Sequence, residues 1–117
     1  MFELMVEDTF DAAHALRGYE GSCENLHGHT WKVQVFLRGG QLNKLGLLAD
    51  FKDIKARLAL ALKAYDHKLI NDTPPFDKKN PTSENLAETL FKTLKRDLKS
   101  LSRITVWESA TTNASYS

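Results

Sequence analysis

The stretch His27–Gly40, HGHTWKVQVFLRGG, contains the clearest strand pattern in the chain. Apolar side chains occupy every second position, and most of the intervening side chains are charged or polar. This alternation is typical of a β-strand with one buried face. Gly39 and Gly40 then end the strand. The apolar positions are Trp31, Val33, Val35 and Leu37.

Shorter strand patterns lie towards both ends of the chain. Residues 2–10 alternate apolar and acidic side chains, and the glycine-rich segment 18–24 that follows predicts a loop. Residues 103–109, RITVWES, predict a further strand, and the tail 111–116 is able to extend the sheet. The sequence therefore predicts three or four strands.

Two amphipathic helices are predicted between the second strand and RITVWES. The first follows Asp50, a suitable N-cap, and should end near Tyr65. The second begins at Thr82 or Ser83, just after Pro81. Its apolar stripe consists of Leu86, Leu90, Leu94 and Leu98.

This element order favours one particular architecture. The helices are grouped in the middle of the chain rather than interleaved with strands, which indicates an α+β fold with an antiparallel sheet. Its 117 residues suit a single domain, residues 1–117, with both helices on one sheet face. An open second face carrying Trp31 or Phe36 would need a partner subunit, so we expect an oligomer.

Composition narrows the classes of function. The formal net charge is +1 and the basic residues are scattered, which disfavours a nucleic-acid partner. No apolar run is long enough to span a bilayer, so we expect no membrane partner. The N-terminal segment is acidic where a secretory signal is basic, and a single cysteine excludes an internal disulfide. We therefore expect a cytoplasmic protein.

Three histidines form a candidate metal site. His27 and His29 are two residues apart at the start of the second strand, so their side chains leave the same face. His14 lies at the end of the first strand and returns beside them if the two strands pair antiparallel. Three imidazoles with an open fourth position are typical of catalytic zinc. On spacing alone, a chance His-x-His of structural histidines stays an equal alternative.

Cys23 lies in the loop just before these histidines and has three possible roles. As a fourth ligand it would close the site and make the zinc structural. As a thiol near the metal it would act as a base or nucleophile. As a small buried side chain it would have no chemical role, although the polar loop around it argues against this.

Two further features predict chemistry. Asp66 precedes His67 just after a helix end, where a carboxylate can orient an imidazole and raise its basicity, although a solvated helix end explains the pair equally well. Glu108 continues the apolar face of Ile104 and Val106, and a carboxylate there needs a partner. That partner is solvent at the strand end or a planar pair of donors bound by both oxygens.

Six motifs in order resemble one known family. They are FDAAHAL, CENLHGHTW, GLLADF, YDHKLIN, NPTSENLA and VWES, followed by Tyr116. Together they resemble the 6-pyruvoyl-tetrahydropterin synthase family, in particular its bacterial branch, the 6-carboxy-tetrahydropterin synthases of queuosine biosynthesis. The resemblance extends over nearly the whole chain.

The resemblance implies a fold, an assembly and a reaction. The fold is the tunnelling fold, a four-stranded antiparallel sheet with two helices on one face. Trimers form a barrel, two trimers form a hexamer, and the active sites lie between subunits. The implied reaction converts 7,8-dihydroneopterin triphosphate into 6-carboxy-5,6,7,8-tetrahydropterin, with release of acetaldehyde and triphosphate. By this resemblance, His14, His27 and His29 match the family's zinc ligands. Cys23, Asp66 and His67 match its catalytic residues, and Glu108 matches the residue that anchors the pterin.

Glu24 leaves the product open. The three residues between Cys23 and His27 match the carboxy-forming branch, whereas the pyruvoyl-forming branch of animals has a longer gap. A glutamate near this position replaces the cysteine in a branch that cleaves dihydroneopterin to 6-hydroxymethyl-dihydropterin. Glu24 is therefore either a second catalytic residue or a solvated loop residue. A zinc- and pterin-binding module without chemistry, and a purely structural zinc protein, are the non-enzyme alternatives.

Overall fold

The computed structural model describes residues 1–21 and 25–117. Within these ranges, no helix is long and apolar enough to cross a membrane. The elements are β1 (Phe2–His14), β2 (His27–Gly39), α1 (Phe51–Leu62), β3 (Lys68–Leu69), a short 3-10 turn (Ile70–Asp72), α2 (Ser83–Lys95), β4 (Leu101–Ser109) and β5 (Thr112–Tyr116).

The predicted α+β architecture is confirmed, but the number of strands is corrected from four to five. The strand order is β3-β1-β2-β4-β5, and the additional strand is β3. It pairs parallel with β1 through Ala12–Lys68 and Ala13–Leu69, so the sheet is mixed rather than purely antiparallel. A strand of two residues is too short to show an alternating pattern, which explains why the sequence did not reveal it.

The apolar positions of β2 form the centre of the core. Trp31, Val33 and Val35 are each 0% exposed, which confirms the alternation seen in the sequence. Burial of a side chain of this size contributes about 1.5–3 kcal/mol, so this face fixes the register of the sheet. Both helices cover it with Ile54, Leu58, Leu62, Leu86, Leu90 and Leu94.

Both predicted helix starts are confirmed. The Asp50 side chain accepts a hydrogen bond from the Lys52 backbone N–H at 2.9 Å, and Thr82 accepts one from that of Asn85 at 3.1 Å. Helix α1 ends at Leu62, before the predicted end near Tyr65. Tyr65 is buried in the core from the turn that follows, and this burial explains its helix-like spacing.

Candidate functional site

The antiparallel pairing of β1 with β2 brings the three histidines together. His14 lies opposite His27, and Ala12 lies opposite His29, so all three imidazoles leave the same face at one end of the sheet. The ring centroids of His14 and His27 are 4.6 Å apart, and those of His27 and His29 are 4.7 Å apart. The predicted return of His14 beside the other two is thus confirmed.

Glu108 joins this cluster from β4. Its Oε1 atom lies 3.2 Å from His14 Nε2, 3.0 Å from His29 Nε2 and 3.9 Å from His27 Nε2. The sequence placed Glu108 on the apolar face but did not predict that it meets the histidines. The missing information was the register between β2 and β4, in which Val33 lies opposite Val106.

Two of the histidines are oriented by backbone carbonyls. His14 Nδ1 lies 2.8 Å from the Pro81 carbonyl oxygen, and His27 Nδ1 lies 2.7 Å from that of Asn25. A carbonyl oxygen only accepts, so each Nδ1 donates and each Nε2 of a neutral ring carries a lone pair. These two Nε2 atoms lie only 3.1 Å apart. Two lone pairs at that separation call for a cation between them.

The donor set fits a metal ion. His29 Nε2 is buried and has no hydrogen-bond partner, although a carboxylate oxygen lies near it. Ligand atoms placed tetrahedrally at about 2.0–2.1 Å from zinc are roughly 3.3 Å from one another. The cluster of His14, His27, His29 and Glu108 has spacings close to this value and is able to hold a metal ion. Burial also lowers the pKa of His14, which favours the neutral imidazole that a metal requires.

The predicted Asp66–His67 pair lies beside β1. Asp66 Oδ1 is 3.0 Å from His67 Nδ1, and the His67 side chain is 77% exposed. His67 has φ 58°, a left-handed conformation, and its N–H donates to the Asp11 carbonyl at 2.6 Å. The Asp11 N–H donates to Asp66 Oδ1 at 3.0 Å. This bond, followed by contacts with His67, holds the pKa of Asp66 below its usual value.

An open groove of about 560 Å³ lies against both β1 and β2. This volume falls within the range of small-molecule sites in proteins. Its lining includes His67 from the Asp66–His67 pair, and it also touches His29, whose imidazole leaves the opposite face of the sheet. The lining also includes Asp11, Gly28 and Thr30.

Other sequence candidates lie elsewhere. Cys23 and Glu24 are outside the described residues. The Arg17 guanidinium donates to the carbonyls of Phe76 and Asn71, so it ties down the loop before α2. Lys32 stacks on the Trp107 ring, on the sheet face opposite the histidines.

Comparisons with known proteins agree with this geometry. The chain is 35% identical to a 6-carboxy-5,6,7,8-tetrahydropterin synthase of Haemophilus influenzae, over 99% of each chain. It is 38% identical to a dihydroneopterin monophosphate aldolase of Pyrococcus furiosus, over 86% of this chain and 83% of that one.

Comparison with solved structures agrees with the sequence comparison. A 6-pyruvoyl tetrahydropterin synthase of Caenorhabditis elegans matches with a TM-score of 0.90 at 28% identity, over 98% of this chain and 94% of that one. The family model described as 6-pyruvoyl tetrahydropterin synthase matches residues 3–117. The chain therefore belongs to the 6-pyruvoyl tetrahydropterin synthase family.

Proposed function

We propose that this chain is a zinc-dependent 6-carboxy-5,6,7,8-tetrahydropterin synthase of queuosine (7-deazaguanine) biosynthesis. Its substrate is 7,8-dihydroneopterin triphosphate, and acetaldehyde and triphosphate are released. The convergence of three imidazoles and a carboxylate carries this proposal, since such a cluster is able to hold a metal ion. The similarity to the Haemophilus influenzae protein supports the choice of product.

His14, His27 and His29 are the proposed ligands of the zinc ion. A zinc ion held by these residues would supply a Lewis acid that acidifies oxygens of the substrate side chain. The carbonyls that accept hydrogen bonds from Nδ1 of His14 and His27 keep Nε2 of both rings directed into the cluster, where these atoms would hold the ion.

The remaining proposed roles concern protons and orientation. Cys23 and the Asp66-supported His67 transfer protons at the substrate side chain. The pKa of Asp66 lies below its usual value, so its carboxylate stays ionised and keeps the His67 ring oriented through Nδ1. Glu108 accepts hydrogen bonds from the 2-amino-pyrimidine edge of the pterin. Its position beside the histidines supports this role, because a pterin anchored there would lie next to the residues that would hold the metal.

A second candidate activity is cleavage of the dihydroneopterin side chain to 6-hydroxymethyl-dihydropterin. It is favoured by the similarity to the Pyrococcus furiosus protein named an aldolase and by Glu24 next to Cys23. In that case Glu24→Ala abolishes the cleavage and leaves carboxypterin formation intact.

The proposed assembly is a hexamer made of two trimers. Along most of its length, β1 pairs with β2 alone, and β5 is the other outer strand of the described sheet. Exposed strand edges of this kind are templates for pairing with another chain. Phe2 and Met5 are 47% and 43% exposed on β1, which supports a subunit contact there. A light-scattering mass equal to one chain would contradict this assembly.

The decisive experiment is product identification with zinc-loaded protein and 7,8-dihydroneopterin triphosphate. Carboxypterin with acetaldehyde is the expected result, whereas hydroxymethylpterin would favour the cleavage activity. Cys23→Ala should abolish turnover and retain zinc. No turnover by the parent, combined with loss of zinc in Cys23→Ala, would instead indicate a structural zinc protein.

A further inference from the structure

We propose that Asp11 is a positioning residue for the Asp66–His67 pair. The inference rests on the proposed function in one respect, because it takes the pair to be the proton-transfer groups of the reaction. Asp11 lies in β1, three residues before His14, and is exposed on the face of the sheet opposite the histidine cluster.

The peptide groups of Asp11 hold both members of the pair. Its N–H donates to Asp66 Oδ1 at 3.0 Å, and its carbonyl accepts from the His67 N–H at 2.6 Å. These two bonds fix a turn in which His67 adopts a left-handed conformation, an uncommon state for a residue with a side chain. The backbone of one residue of β1 therefore sets where the pair lies.

The side chain of Asp11 adds a carboxylate that faces the same imidazole. A carboxylate oxygen of Asp11, one of Asp66 and a ring nitrogen of His67 all lie within 4.8 Å of one another. Thr30, its cross-strand partner in β2, donates from Oγ1 to Asp11 Oδ1 at 2.5 Å. This short bond fixes the orientation of a side chain that is otherwise free in solvent. The Asp11 carboxylate is thus held beside His67.

The charges around His67 make this second carboxylate relevant to proton transfer. Asp11 faces the ring from β1, and Asp66 and Lys68 flank it in its own segment, whereas the His29 imidazole leaves the opposite face of the sheet. The positive charge of an imidazolium is attracted by both carboxylates, whereas a neutral ring interacts with them only through its N–H dipole. Asp11 therefore helps to orient the ring at the step in which His67 carries a proton.

The test uses Asp11→Asn, which keeps an acceptor for Thr30 and removes only the charge. We expect kcat to fall about tenfold, in the range of lost supporting partners at other sites, with KM changed less than twofold. The ratio of parent to variant kcat should vary with pH, because the Asp11 carboxylate acts more strongly on the charged ring than on the neutral ring. The matched control is Glu7→Gln, an exposed β1 carboxylate that likewise accepts from β2, through Gln34. It should leave kcat unchanged.

A second variant and a second readout keep the test decisive. Thr30→Val frees the Asp11 side chain and should reproduce part of the kcat loss. The imidazole proton resonances of His67, recorded at one pH without substrate, should move in both variants and stay in place in Glu7→Gln. An unchanged kcat, or a loss of equal size at every pH with unmoved His67 resonances, would overturn the proposal. If Asp11→Asn does not fold, Thr30→Val decides by the same criteria.

The failure of the proposed function looks different. In that case the parent protein does not turn over 7,8-dihydroneopterin triphosphate at all. The resonances of His67 then decide alone: movement in Asp11→Asn and Thr30→Val supports the positioning role, and its absence refutes it.

Discussion

The histidine cluster and the Asp66–His67 pair both depend on β1, but the chain builds them in different ways. Residues of β1, β2 and β4 form the cluster, and the His14 side chain within it is only 2% exposed. The pair lies in a turn after α1 and is held by two backbone bonds to Asp11, with His67 77% exposed. The sheet register fixes the first site, and a local turn fixes the second.

This difference predicts how the two sites respond to mutation. The histidine cluster is the region whose chemistry needs an ion, since His29 Nε2 has no hydrogen-bond partner and the Nε2 atoms of His14 and His27 lie only 3.1 Å apart. The exposed pair has its own hydrogen bonds and needs none. Metal binding and proton transfer should therefore be separable by mutation.

The largest expected effect comes from breaking the cluster. His29→Ala removes a ring whose Nε2 has no hydrogen-bond partner, so it should abolish stoichiometric metal binding. A bound Lewis acid lowers the activation barrier by several kcal/mol, so its loss should decrease turnover about 10³-fold. Metal content by mass spectrometry and product formation measure the two effects.

The pair should give the complementary result. His67→Asn suits the left-handed backbone at this position, because asparagine tolerates that conformation. It should keep the metal and lose about 10²-fold in kcat, the lower end of the usual contribution of a general acid or base. Loss of metal in His67→Asn would show that the two regions are one unit.

The next effect concerns Glu108, which lies in the cluster but has a proposed role towards the pterin. Glu108→Gln removes the charge at nearly constant shape. Loss of a hydrogen bond to a charged group costs about 1.5–3 kcal/mol, so affinity for an unreactive pterin should fall about 10- to 150-fold. Calorimetry measures this affinity. Metal content should stay constant, and its loss would make Glu108 a ligand instead.

The comparison also explains what the sequence alone could predict. The co-facial His27 and His29 follow from the two-residue period of a strand, and His14 follows from antiparallel pairing of neighbouring strands. Both rules are local or act between consecutive strands. The cluster could therefore be predicted from the sequence, except for Glu108, whose position depends on pairing between β2 and the distant β4.

The region around the pair was less predictable. Asp66 and His67 were noted as a dipeptide, but β3, which follows them, has only two residues and leaves no periodic signal. Asp11 had no visible role, because its contacts are backbone bonds to residues 55 and 56 positions away along the chain. Contacts of that kind depend on the packed structure rather than on residue type.

A smaller effect should appear in the stability of the metal-free protein. Burial lowers the pKa of His14 from the usual 6.5, so the unfolded chain binds a proton that the folded chain resists. Stability should be constant above about pH 6.5 and decrease as the pH falls below it, by at most about 1.4 kcal/mol per pH unit for this group. Urea titrations between pH 8 and pH 5 measure the slope. His14→Gln should reduce it, and an unchanged slope would contradict the assignment.

The smallest effect should come from the exposed pair. The Asp66 pKa lies below the usual 3.8, first because the Asp11 N–H donates to the carboxylate and second because of His67. Since the folded pKa is depressed, the stabilisation is present above about pH 3.8 and is lost as the pH falls through the folded pKa. Carbon NMR of the carboxyl group, with the urea-unfolded chain as reference, measures the shift. His67→Asn should remove only part of it, because the Asp11 bond survives. A complete return to the unfolded value would mean that the imidazole, rather than β1, holds the carboxylate in its charged form.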